Sequence, residues 1–142
     1  MKLPHAHKIL STLVLSSFFS LNAHAHELVL QVDKITKTKG VIMIALYNSA
    51  ESYKSDKNVF NGQKVAVTKD TLVVNFGDVP AGDYAIKLYQ DENENGVIDK
   101  NVTGMPTEGY GFSNNGGAMG QPSFDEAKFS VTDKTITTIH LR

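Results

Sequence analysis

P80-A-G-D-Y-A-I-K-L-Y-Q-D-E-N-E-N-G-V-I-D99 joins a turn, an alternating strand and an acidic, asparagine-rich loop in one run. Pro80 suits the second position of a β-turn, and Gly82 can take the positive φ that such turns often require. Beyond it, Tyr84, Ile86 and Leu88 share one face of a strand while Ala85, Lys87 and Tyr89 share the other. This pattern predicts an inner strand with its first face in a core. Similar strand signals recur on both sides. Leu28, Leu30 and Val32 alternate. G40-V-I-M-I-A-L-Y47 is apolar on both faces, as in a central strand. K64-V-A-V67, L72-V-V-N-F76, A127-K-F-S-V131 and T135-I-T-T-I-H-L141 complete the set. One helical turn fits E51-S-Y-K-S-D56, and Phe60 reads as a plug at the core edge.

About seven short strands, no long amphipathic helix and no βαβ alternation predict an all-β fold. The expected architecture is an Ig-like or transthyretin-like antiparallel β-sandwich with one long glycine-rich loop. That loop, between Gln90 and Asp125, lacks periodicity from residue 100 to 124. Loops of this length in a compact domain are commonly functional or mobile. Here Tyr110 and Phe112 are expected to pin it to the domain.

The first 25 residues read as a signal peptide. Lys2 and Lys8 make a basic start, I9-L-S-T-L-V-L-S-S-F-F-S-L21 is apolar, and Ala23-His24-Ala25 places small residues at a cleavage site. The apolar stretch is too short and too serine-rich for a membrane span. A single domain from 26 to 142 would remain, in the periplasm or secreted. Removing Lys2 and Lys8 leaves twelve Lys and Arg against fifteen Asp and Glu, which gives no reason to expect nucleic acid as a partner. The chain has no cysteine, so a core, or a core helped by a metal, must hold it.

Counting from Asp91, the loop places Asp91, Asn93, Asn95 and Asp99 at positions one, three, five and nine, with Gly96 at six. These are the first nine positions of an EF-hand calcium loop, in which the Val97 carbonyl adds a ligand. Ile98 would anchor the loop on the core. Position twelve is Val102 rather than a bidentate glutamate. Calcium binding would therefore need an acid from Glu108, Asp125 or Glu126, with a weak affinity of about 10⁻⁴–10⁻³ M. The same string also reads as a turn whose Asx side chains cap its own amides.

Other groups suggest other chemistry. Glu108, Tyr110, Phe112 and Asn114 are the candidate lining of a small-ligand groove. His26, if it became the first residue of a mature chain, could chelate copper together with His140. Glu108, Asp125 and Glu126 offer carboxylates for hydrolysis. No catalytic constellation emerges. The expected role is a non-catalytic binding or accessory module meeting a protein or small ligand in the cell envelope; the alternatives are a structural envelope domain lacking any ligand and a metal-dependent enzyme, hydrolytic or copper-dependent, that uses the 90–125 region or His26.

The run from Pro80 to Asp99, followed by G104-M-P-T-E-G-Y-G-F-S-N-N115 and P122-S-F-D-E-A127, resembles the bacterial family named domain of unknown function 2141. The resemblance spans nearly all of the chain after residue 25. It implies an exported, envelope-associated domain and carries over no catalytic residue. More loosely, P80-A-G-D-Y-A-I-K87 is similar to the central strand of transthyretin-like and carboxypeptidase-regulatory-like sandwiches. The Asp91–Asp99 loop resembles calcium loops of repeated adhesin domains.

Overall fold

The computed structural model describes residues 26–142; the expected signal peptide lies outside the described residues. Two sheets face each other. The smaller holds β4 (Leu72–Val79), β1 (His26–Asp33) and β8 (Thr135–His140), in that order. The larger runs β3 (Asn61–Ala66), β2 (Val41–Tyr47), β5 (Gly82–Asp91) and β6 (Tyr110–Phe112), with β7 (Phe129–Val131) also paired to β5. Two short helices, α1 (Ala50–Ser55) and α2 (Phe124–Ala127), and a 3-10 turn at Ser113–Asn115 complete the elements.

Strand alternation builds the core. Leu28, Leu30 and Val32 of β1 and Leu72, Val74 and Phe76 of β4 meet Ile42, Ile44 and Leu46 of β2 and Tyr84, Ile86 and Leu88 of β5. Phe60 stands at the margin, its ring edge-on to Tyr84 at 5.4 Å between centroids. The all-β sandwich expected from the sequence is present, and one pairing departs from the antiparallel expectation: β8 runs parallel to β1. The reason is where the chain re-enters. β7 ends opposite Gly82, at the start of β5, and β8 begins opposite Leu28, near the start of β1. Entering at that end, β8 must follow β1's direction.

The glycine-rich segment also differs from a plain end-loop. Tyr110–Phe112 forms a true strand, β6, beside β5. Gly111 makes this close approach feasible, because a Cβ there would lie 2.5 Å from the Ile139 side chain. Gly40 plays a similar part with a positive φ of 66° and a virtual Cβ 2.0 Å from the Asp91 carbonyl. Ala127, expected in a strand, instead closes α2, whose Ser123–Glu126 capping box holds its first turn.

Ser113, directly after β6, binds these pieces together. Its fully buried hydroxyl accepts from the Ile86 amide at 2.9 Å and donates to the Ala127 carbonyl at 2.6 Å. Ser113→Ala leaves both partners buried and unpaired, at a cost of about 1–3 kcal/mol. Denaturant unfolding should show that loss, whereas Ser130→Ala on the exposed side of β7 should remain within about 0.5 kcal/mol.

Candidate functional site

Direct strand pairing places two rows of side chains on the outer face of the larger sheet. Met43, Tyr89 and Tyr110 form one row, and Ala45, Lys87 and Phe112 form the next. Opposite Ala45, β3 contributes only Gly62. These rows are the floor of a groove of about 970 Å³, walled by residues such as Val59, Ile98, Met105 and Met119. The size falls within the range of small-molecule sites. Tyr110 and Phe112, both anticipated as ligand residues, line it. Their rings pack edge to face at 6.0 Å.

The charged group in the floor is neutralised locally. Lys87 Nζ donates to the Tyr53 carbonyl and to Asp56 Oδ1, the latter at 2.6 Å. It also lies 4.2 Å from the Tyr53 ring centroid and 5.2 Å from that of Tyr47. Tyr47 donates its hydroxyl to Asp56 as well, at 3.2 Å. Burial, and then the Asp56 charge and hydrogen bond, push the Tyr47 phenol up to about 12. Tyr53 is almost fully buried, and its hydroxyl has no partner among the described residues.

The Asp91–Asp99 loop stands at one end of the groove. Tyr89 donates its hydroxyl to the Gly96 carbonyl at 3.0 Å, folding the loop over the sheet. Burial, then the charges of Asp91 and Glu108, raise the Tyr89 phenol above its ordinary value. Asp91 is buried and accepts from the amides of Asn95 and Gly96 at 3.0 and 2.7 Å. The Asn93 and Asn95 side-chain oxygens accept from the amides of Asn95 and Val97, while their NH₂ groups donate to the two Asp99 oxygens. The Asx-capped turn foreseen as the second reading is thus formed. Among the described residues, no three His, Cys, Asp or Glu side chains gather as a metal site. Ile98, expected on the core, is only half-buried and faces the groove.

Of the three acids considered for closing this loop, only Glu108 reaches it. Its buried carboxylate accepts from the Glu92 amide at 2.8 Å and the Asp99 amide at 2.9 Å. Val102, at position twelve, is fully exposed. Asp125 pairs with Lys128 at 3.0 Å, and Glu126 is occupied by the Ser123 amide and hydroxyl. Asn114 is not in the groove; its NH₂ binds the carbonyls of Glu126 and Lys128, fastening β6 to α2. His26 opens β1, whereas His140 sits against Asp33 at the other end, 2.5 Å from it. Seven residues of strand separate the two histidines by about 23 Å, so they do not share one copper ion.

Sequence reading missed Met43, Lys87, Tyr89, Lys100, Met105 and Met119 as one lining. The signal was the apolar outer face of 40–47, which marks a strand covered or used on both sides. The 99–107 hairpin was missed too: the Asn101 side chain caps it by accepting from the Thr103 and Met105 amides, each at 3.0 Å. A model of the bacterial family described as "Uncharacterized protein conserved in bacteria (DUF2141)" matches residues 30–139. No curated protein and no solved structure matches the chain.

Glu108→Gln puts a donor NH₂ against one of two backbone donors and should cost about 1–3 kcal/mol. Hydrogen exchange should then quicken at the Glu92 and Asp99 amides. Glu94→Gln, on the exposed loop tip, should leave both unchanged.

Proposed function

The chain belongs to the bacterial family DUF2141, and we propose that it serves as a non-catalytic binding module of the cell envelope. Its ligand site is the groove on the larger sheet. The observation that carries this reading is the gathering of Met43, Tyr89, Tyr110, Phe112, Met105 and Met119 around about 970 Å³ of open space. Thioethers and aromatic faces are adaptable and apolar, the composition of a surface that accepts a ligand rather than of one that performs acid–base work. The non-catalytic reading is further supported by the commitment of His140, Asp125 and Glu126 to separate partners. The basic, apolar and Ala-His-Ala order of residues 1–25 supports export to the periplasm or beyond.

Nile red, a neutral apolar dye, should bind the purified protein and brighten. Ala45→Trp, which fills the floor, should abolish the signal. Met105→Asp, on the half-exposed rim, should weaken it without disturbing the core. An unchanged thermal melt shows that each variant retains its fold. Dye binding that neither variant affects would overturn the groove as the site.

A second reading concerns calcium. Glu108 bridges the first and last parts of the 91–99 loop, so a buried acid lies where the sequence lacked one at Val102. Asp91 and Glu108 have no basic partner among the described residues, and a cation would offset the cost of burying two anions. Asp91, Asn93, Asn95, Val97 through its carbonyl, Asp99 and Glu108 are the ligands. Asn93 and Asn95 would exchange their present amide bonds for the ion, consistent with weak affinity. At ten times the Kd, calcium should add about 1.4 kcal/mol of stability. Thermal melts with chelator and then millimolar calcium should show the rise, and Asp99→Asn should suppress it. A melt indifferent to calcium leaves the loop as a self-capped turn.

A further inference from the structure

The charge left in the groove identifies a class of ligand. Lys87 is neutralised by Asp56 at 2.6 Å. Lys100, which also lines the groove, is exposed and has no ion-pair partner among the described residues. The groove therefore combines an apolar floor with one uncompensated positive charge at its rim. Lys100 is carried on the 99–107 hairpin, opposite Pro106, and is held there by backbone pairing rather than by its own side chain. Its ammonium is free to meet an anion.

The volume limits the occupant. An α-helix about 10–12 Å across with a 1.5 Å rise fills roughly 120–170 Å³ per residue. The groove's 970 Å³ thus holds roughly six to eight residues, so the eight-residue span of the i, i+3, i+4 and i+7 anchors of a docked helix would fill it end to end at best. A single flexible chain suits it better. The thioethers of Met43, Met105 and Met119 can rearrange around such a chain, while the Tyr89, Tyr110 and Phe112 rings supply fixed apolar surface.

We propose that the groove binds a single-chain anionic amphiphile, its acyl chain along Met43, Tyr89 and Phe112 and its head group at Lys100. This rests on the groove being the ligand site. A free fatty acid and a lysophospholipid share the chemistry, a long apolar tail with one anionic head.

Displacement of Nile red from the purified protein tests it with ten- and twelve-carbon carboxylates below their micellar concentrations, dodecanol, dodecylammonium and lysophosphatidylglycerol. Each added methylene should tighten carboxylate binding about fourfold. Lys100→Gln should weaken the twelve-carbon carboxylate about threefold to fivefold and leave dodecanol unchanged. Dodecylammonium should bind more weakly than the carboxylate. Of the twelve-carbon carboxylate and a lysophosphatidylglycerol with the same chain length, the one that displaces at lower concentration identifies the source. If Nile red binds in the groove but no anionic amphiphile displaces it, or displacement ignores chain length and Lys100, the amphiphile inference is overturned and the groove stands. If Nile red and amphiphile both fail to bind, the groove reading itself falls.

Discussion

Strand β5 is engaged on both edges and both faces, and the rest of the molecule depends on that. One edge pairs with β2 along its length, while the other is shared between β7 at its start and β6 further on. Its inward side chains, Tyr84, Ile86 and Leu88, enter the core. Its outward ones, Lys87 and Tyr89, become the groove floor. A strand that gives two edges to three partners needs its second edge divided cleanly. Ser113 does this by satisfying the Ile86 amide in the gap between β6 and β7. Without that hydroxyl, a backbone donor in the middle of the fold would be buried without a partner.

Polar groups inside the domain follow the same logic of local satisfaction. Gln90 donates to the carbonyls of Lys37 and Lys39 at 2.6 and 2.9 Å, holding the β1–β2 connection against the end of β5. Glu92 meets the ammonium groups of the same two lysines, each at 3.0 Å. Burial pushes the Glu92 carboxyl up, but the bonds and charges of Lys37 and Lys39 outweigh it and leave it below its ordinary value. Asn115 bonds the β8 backbone through both ends of its amide, so the 3-10 turn after β6 is tied to the smaller sheet. The groove walls stand on this braced frame. They can present methionines and an exposed lysine because stability is supplied beneath them.

Much of the fold was legible from period-two alternation. The faces of 28–32 and 84–89 and the two-sided character of 40–47 were read correctly because strand geometry leaves two directions for a side chain, and 72–76 was read as a strand. The 91–99 loop was legible as a string of oxygen-bearing residues, but its two readings share the same residues. Whether the Asn oxygens face an ion or a backbone amide is a matter of side-chain rotation, which spacing does not encode. Glu108 was named among three candidates for the loop's missing acid, and the pairing of β6 with β5 brought it there. Asp125 and Glu126 were drawn instead into α2 and its capping box, an interaction of short range that competed successfully for them.

The amino-acid sequence by itself determined the β-class, the two-sided character of 40–47 and the chemistry of the loop after Asp91. Those are local properties, set by side-chain period and by which residues tolerate turns. Only tertiary structure decided that Tyr110–Phe112 would become a strand, since three residues among glycines carry no periodic signal and gain their order from β5. It also decided that the outward face of P80-A-G-D-Y-A-I-K-L-Y-Q-D91 would become the floor of a groove. Which charge is spent and which stays free was likewise a matter of distance: Lys87 found Asp56 across 31 residues of chain, whereas Lys100, carried outward on a hairpin, found no ion-pair partner among the described residues.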